Sequence, residues 1–242
     1  MTQISFKTDI DVELINFCGN DGMVAAAARV CTTGDECKAV ATLPPEEISG
    51  LINYLMKHRH GTPFEHGCLT FFVHAPLFVW REWHRHRIGF SYNEESARYK
   101  QLEPIFYLPK SDRKMMKVDG WKPGRPKFTE CRDESRYNQL LANLRESYQL
   151  AYEMYEENLR LGIDPGLARD CLPVGIYSGC WVTCNPRSLL AFLSLRTNDE
   201  TAKFVSYPLH EIELAARKVE ALFAEKFPLT YKAFCDNGRV GP

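Results

Sequence analysis

Six of the seven histidines in this sequence fall between positions 58 and 86, in the company of arginines and acids. The run His58-Arg59-His60-Gly61-Thr62-Pro63-Phe64-Glu65-His66 is followed by Arg81-Glu82-Trp83-His84-Arg85-His86-Arg87, and soon after by Ser91-Tyr92-Asn93-Glu94-Glu95-Ser96-Ala97-Arg98-Tyr99. So many donors and acceptors in so short a stretch point to a bound ligand, and the arginines point to phosphate. A guanidinium offers a planar fork that pairs two phosphate oxygens and stays charged at any working pH. If the second run is helical, Arg81 and Arg85 share one face and Glu82 and His86 the neighbouring one, while Arg85 and Arg87 point to different sides. One arginine then serves one ligand and the other a second. Two blander readings compete. Basic residues in a last helical turn complement the dipole and are often only surface, although the polar run that follows argues against that here. His58, His60, His66, His84 and His86 also offer metal ligands, but no His-Glu-x-x-His or comparable helical spacing is present, so no metal is expected.

A second cluster lies at 169–196. Asn185-Pro186 is a helix start, with a capping side chain and a proline suited to the first turn. The free N–H groups of such an end bind anions, and Arg187 sits beside them. Arg196 follows Leu189, Leu190, Phe192, Leu193 and Leu195 on the same helix, so it is expected to be partly buried and therefore paired or ligand-facing. The alternative is a plain structural cap at Asn185 with surface charge at Arg187 and Arg196.

These residues need elements to hold them, and hydrophobic periodicity supplies the outline. Residues 3–18 mix apolar and charged positions and read as one or two strands. The alanine-rich stretch 21–30 reads as a short helix capped by Asn20 or Asp21. Pro44-Pro45-Glu46-Glu47 opens another helix, with Ile48, Leu51, Ile52, Leu55 and Met56 on one face. Cys68 to Ala75 reads as a strand, Pro76 starts a helix running to about Arg87, and residues 96–107 return to an extended reading. Residues 108–133 are charged and contain Gly and Pro, which fits a loop or mobile insertion and makes them the only candidate boundary. A long helix is expected over 133–161, striped by Leu140, Leu141, Leu144, Tyr148, Ala151, Tyr155 and Leu159. Asp164-Pro165 caps a short helix carrying Arg169. A strand follows at about 174–184, then a helix from Asn185-Pro186 through Leu195. The last helix covers roughly 200–226, with Pro208 as a kink or a restart. The expected fold class is α+β, one mixed α/β domain over residues 1–242.

The bulk composition excludes several classes. The chain has 242 residues, 45% hydrophobic, with a formal net charge of −1. No global field draws it to nucleic acid or to a membrane, so any basic site is local. The opening MTQISFKTDIDVEL lacks the basic and apolar regions of a signal peptide, and no apolar run is long enough for a transmembrane helix. Nine scattered cysteines with no signal peptide suggest reduced thiols in a cytoplasm. Cys180-x-x-x-Cys184 lies inside an apolar run, where alternating burial explains it better than zinc.

Arg85-His86-Arg87, then eight residues, then Ser96 resembles the signature of the flavin-dependent thymidylate synthases. The surrounding run Arg-His-Arg-Ile-Gly-Phe-Ser-Tyr-Asn-Glu-Glu-Ser-Ala-Arg-Tyr is similar well beyond that signature. So are His60-Gly61-Thr62-Pro63-Phe64-Glu65-His66 and Asn185-Pro186-Arg187-Ser188-Leu189 through Leu195-Arg196. The similarity extends over roughly residues 11–235. It implies a mixed α/β fold particular to the family and a homotetramer whose active sites draw on more than one subunit. It implies that Arg85, His86 and Arg87 hold FAD, with Thr62, Glu94, Asn185 and Arg187 as further flavin contacts and His60 near the flavin ring. Glu82, Arg85, Ser96, Ala97, Arg98, Arg169 and Arg196 would surround dUMP, with Arg196 against the uracil ring. Ala191 stands where some relatives have an Asn that touches the flavin, Cys31 where some have Ser, and Glu82 where some have Gln.

The chemistry implied is reductive methylation of uracil at C5, with methylenetetrahydrofolate as carbon donor and NADPH-reduced FAD as hydride source. No cysteine here follows a proline or precedes a histidine, the setting in which the unrelated cysteine-dependent synthases keep their nucleophile. An arginine beside the imide instead stabilises negative charge developing on the ring, because a guanidinium does not act as a base at neutral pH. Ser96 has no base beside it in sequence and reads as a binding residue. No Gly-x-Gly-x-x-Gly and no P-loop is present, so FAD and nicotinamide would bind without a Rossmann unit. A nucleic-acid module using the Arg/His/Trp/Tyr cluster and a histidine-rich metal hydrolase are the rival classes. Neutral charge and interspersed acids argue against the first.

Overall fold

Two extended segments, β1 (Ser5–Lys7) and β2 (Asp11–Cys18), open the chain in a computed structural model that describes residues 2–120, 122 and 127–242. The helix α1 (Asp21–Thr33) starts where Asn20 accepts a hydrogen bond from the Met23 amide at 2.9 Å. After the single turn α2 (Cys37–Val40), α3 (Pro45–Lys57) has proline in its first turn and two glutamates at its positive end, and it buries Ile48, Ile52, Leu55 and Met56. In β3 (Cys68–Pro76) buried positions alternate with half-buried ones.

The helix α4 (Leu77–Trp83) is shorter than the expected run to Arg87. After Trp83 the next residues are His, Arg, His and Arg, so a further turn has no apolar side chain to bury. The Tyr92 hydroxyl donates to the His86 carbonyl at 2.6 Å and lies 3.2 Å from that of Trp83, occupying carbonyls at the helix end. Arg85 and His86 are therefore off the helix, and the face-sharing expected between them and Arg81 and Glu82 does not occur. The strand β4 (Phe90–Glu94) comes before the stretch expected to be extended. Residues 96–100 turn back, with Tyr99 and Lys100 amides donating to the Ser96 carbonyl, and only β5 (Ile105–Tyr107) is strand. Ser96 also accepts from the Arg98 amide through its hydroxyl at 3.3 Å, the local bonding by which serine favours turns.

Within 108–133 the described residues include an antiparallel pair, β6 (Lys114–Lys117) and β7 (Phe128–Glu130). Residues 121 and 123–126 of the expected insertion lie outside the described residues. Asp133 caps α5 (Glu134–Arg160) by accepting from the Arg136 amide at 3.1 Å, and Tyr152 joins Tyr148 and Tyr155 on its buried stripe. Asp164 caps α6 (Pro165–Ala168), and Arg169 falls in the 3₁₀ turn that follows. In β8 (Tyr177–Cys184) Cys180, Val182 and Cys184 are buried. Then come α7 (Pro186–Arg196) and α8 (His210–Lys226). Pro208 precedes α8, so it marks a restart, and residues 200–209 are not helical. A last helix, α9 (Pro228–Asp236), was not expected, although Pro228 in its first turn is the usual signal.

The principal sheet has strand order β2-β3-β8-β4, and β1 pairs in parallel with β5, Ser5 opposite Ile105. By contact the chain forms two compact units, one of residues 1–10, 74–82 and 94–180, the other of 11–73, 83–93 and 181–242. The candidate boundary at 108–133 lies inside the first. That unit is centred on Phe106, Tyr148, Tyr152, Tyr155 and Ile176. The second buries Phe64, Phe192, Phe223, Phe227 and Phe234, with α3 packed on α9 and α7 on α8. The fold is mixed α/β. No helix among the described residues is long and apolar enough to cross a membrane.

Candidate active site

The turn after α4 and the start of α7 meet in the second unit around a cavity of about 850 Å³. Arg85, His86, Arg87, Asn185, Arg187 and Ala191 line it, with residues 88–90 and 240–242. Asn185 caps α7 by accepting from the Ser188 amide at 2.8 Å, which fixes the helix end facing the cavity. Gly89 makes the close approach possible. Its φ is +69°, and a Cβ there would lie 2.1 Å from Ser188 Oγ and 2.9 Å from Asn185 Nδ2. Gly89→Ala is therefore expected to push the Arg-His-Arg turn off α7 and to weaken ligand binding in the cavity about tenfold. Titration of the variant with FAD checks this, and wild-type affinity would remove Gly89 from the site. Gly61 is a second contact point, since a Cβ there would lie 2.4 Å from Arg187 Nε. His60-Gly61-Thr62 thus borders the Arg187 guanidinium, which also donates to Glu65 Oε1 at 2.5 Å.

Arg196, at the last turn of α7, donates from Nε to His86 Nε2 at 2.9 Å. For Nε2 to accept, the neutral ring carries its proton on Nδ1. Burial first, and the Arg196 cation second, pull the His86 pKa from 6.5 down to about 4. Phe192 packs edge-on against the ring at 4.9 Å. Because the folded value lies below the unfolded one, this histidine's stability term is fully present above pH 6.5 and is lost as pH falls towards about 4. Thermal melts across that window should decline less steeply for His86→Gln than for the unchanged chain. Parallel curves would show that His86 does not titrate as its surroundings dictate.

In the first unit, Arg98 and Arg169 meet at one glycine. The Arg169 Nε donates to the Gly166 carbonyl at 3.3 Å, and a Cβ on Gly166 would touch the Arg98 stem at 3.5 Å. Ser96 sits two residues away in the turn described above. Ala97 is 3% exposed and belongs to the buried core of this unit. Glu94 accepts from the Ser178 hydroxyl at 2.7 Å, and Glu82 lies in α4. The expected flavin residues His60, Thr62, Arg85, His86, Arg87, Asn185 and Arg187 thus fall in the second unit with Arg196. Glu94 and the expected dUMP residues Glu82, Ser96, Ala97, Arg98 and Arg169 fall in the first. Thr62 and His60 do not line the cavity themselves. Ala191 does line it. Glu65, Gly89 and residues 240–242, which line the cavity, were not among the expected site residues, and only the two glycine-flanked turns gave any local signal. No group of three or more His, Cys, Asp or Glu among the described residues is arranged for a metal.

A mixed α/β chain with an arginine-walled cavity at a helix start is, as a class, a binder of anionic ligands that dispenses with a glycine-rich phosphate loop. The comparisons make the class particular. The family model described as thymidylate synthase complementing protein matches residues 13–229. A flavin-dependent thymidylate synthase of Streptomyces avermitilis is 48% identical over 98% of this chain and 96% of its own length. One from Tropheryma whipplei is 44% identical over 98% and 97%. Two crystal structures of the Streptomyces cacaoi UMP/dUMP methylase PolB, bound with 5-Br UMP and 5-Br dUMP, match with TM-scores of 0.89 and 0.91. Each is 40% identical, covering 99% of this chain and 99% and 100% of theirs. The chain belongs to the flavin-dependent thymidylate synthase family.

Proposed function

We propose that this chain reductively methylates dUMP to dTMP, taking the carbon from methylenetetrahydrofolate and releasing tetrahydrofolate. The observation that carries the reading is the cavity in which Arg85, His86 and Arg87 face Asn185 and Arg187, in a chain related along nearly its whole length to these synthases. The donor set fits FAD: three guanidiniums for a pyrophosphate, a capped helix start, and two glycines that admit close packing. Arg85, His86, Arg87, Asn185 and Arg187 hold the cofactor, with Thr62, Glu94 and His60 as further contacts. Bound there and reduced by NADPH, FAD would supply the hydride that completes the methyl group.

Ser96, Arg98 and Arg169 bind the dUMP phosphate side, helped by Ala97, Glu82 and Arg85. Arg196 lies against the uracil and offsets negative charge on the ring, and neutral His86 orients it by accepting its Nε–H. The residues act as one functional domain and as a homotetramer. Ile88 and Tyr99, next to the arginines of both clusters, are 92% and 84% exposed, which suits surfaces covered by another subunit.

The test is a visible spectrum with turnover in the same cuvette. A flavin reduced by NADPH and reoxidised by methylenetetrahydrofolate only when dUMP is present, with dTMP formed, is the expected result. A protein that takes up no flavin and forms no dTMP would sink the proposal. Since PolB is described as acting on both UMP and dUMP, UMP is the alternative substrate to run alongside.

A further inference from the structure

Among the described residues, only two non-glycines have positive φ, and both are arginines: Arg59 at 62° and Arg239 at 55°. Both follow a helix end, where a left-handed residue closes the last turn: the His60 amide donates to the Leu55 carbonyl and the Arg239 amide to the Phe234 carbonyl, each at 2.9 Å. Both arginines act on the same short segment, residues 239–242. The Arg59 guanidinium, at the end of α3, donates to the Gly241 carbonyl at 2.6 Å. Arg239 is 5% exposed. Its guanidinium donates to Glu220 and, at 2.9 Å, to Thr197 Oγ1, and it lies 3.5 Å from Asp199. Its carbonyl accepts from the Ser194 hydroxyl on α7 at 2.9 Å.

Beyond this anchor the segment lies along α7. A Cβ on Gly241 would come 3.3 Å from the Ala191 amide, and the Pro242 carbonyl accepts from Arg187 Nε at 3.1 Å. Val240, Gly241 and Pro242 all line the cavity with Arg85–Arg87. Arg187 is thereby held on one side by Glu65 and on the other by Pro242, with Gly61 against its guanidinium. We infer that residues 240–242 are a wall of the flavin site, and that Arg59 and Arg239 are positioning residues which hold this wall and, through it, Arg187 in register for the cofactor. The inference rests on the assignment of the cavity to flavin.

The test compares the unchanged chain, a chain shortened to end at Arg239, Gly241→Val and Arg59→Ala, each titrated with FAD. The thermal midpoint and the dUMP KM at saturating FAD are recorded in parallel. Removing 240–242 should raise the FAD dissociation constant tenfold or more, and Arg59→Ala several-fold. The dUMP KM should not move, and for Arg59→Ala neither should the thermal midpoint. If the shortened chain does not fold, the exposed Arg59→Ala and the tip variant Gly241→Val decide the matter. Wild-type FAD affinity in those variants, with Arg87→Ala still impaired, overturns the role of the segment and leaves the flavin site standing. No FAD binding by the unchanged chain overturns both.

Discussion

Arg196→Ala should lower the rate of dTMP formation by about a thousandfold while the protein still takes up FAD, the loss expected when one preorganised donor is removed from developing charge. The geometry separates this residue from the arginines around it. Arg85, Arg87 and Arg187 open onto the cavity, whereas Arg196 is half-buried at the other end of α7 and spends its Nε–H on His86 at 2.9 Å. A guanidinium placed in this way keeps its charge and its orientation, and it has no proton to exchange near neutral pH. Arg196→Lys keeps the charge but loses the planar fork and the Nε donor, so an intermediate rate is expected. A histidine titration followed by NMR separates this from unfolding, which would bring the His86 pKa all the way back to 6.5. With the guanidinium gone, the His86 pKa should rise from about 4 towards 6.5, remaining below it because burial is the larger cause. Turnover within tenfold of the unchanged enzyme would remove Arg196 from the chemistry. Loss of flavin together with activity would reassign it to the cofactor.

What could be seen in the sequence was whatever is encoded locally. Asp164 and Asn185 were legible as caps, and Asn20 as one of two candidates with Asp21, because one side chain three residues from an amide decides the geometry, and all three bond as their types dictate. The 27-residue helix α5 was legible from its stripe. The helix expected to run on to Arg87 was misjudged because its end is set from outside, by the hydroxyl of Tyr92 on β4. The helix α9 was missed for a similar reason. Its first amides are satisfied by Asp21, which accepts from Leu229 N at 2.8 Å and from Thr230 N at 2.9 Å across more than two hundred residues. The Arg-His-Arg triplet was legible as a phosphate cluster from residue type alone. That it closes against Asn185 and Arg187 depended on Gly89, and that residues 240–242 complete the wall depended on Arg59 and Arg239. Neither long-range contact has a signature in residue spacing.

The largest expected effect on stability is at Glu220. Its carboxylate is buried and receives three donors: Arg239 and, at 3.0 Å, the Tyr231 hydroxyl on one oxygen, and Arg217 Nη1 at 2.8 Å on the other. Glu220→Ala leaves the Arg239 side chain, itself 4% exposed, with Asp199, 3.5 Å away and more exposed, as its one remaining carboxylate among the described residues. Breaking one side of a buried pair destabilises by about 3–5 kcal/mol. For a chain of this size that corresponds to a fall of roughly 10 °C in thermal midpoint. Tyr231 reports the same change. Burial, then the Glu220 charge, hold its pKa up at about 12, so removing the carboxylate should bring phenolate formation to lower pH without restoring it to 10. The double variant Glu220→Leu/Arg239→Met separates two roles for the pair. An apolar replacement of both partners is commonly neutral or better for stability, so the thermal midpoint should recover. The segment would then lack the buried guanidinium that anchors residue 239 to Thr197 and Asp199, and FAD affinity should be lower than in the unchanged chain. Recovery of both would mean the ion pair serves the fold alone. Recovery of the melting point without the flavin would mean that an ion pair with little net stability to offer is kept for the placement of four residues.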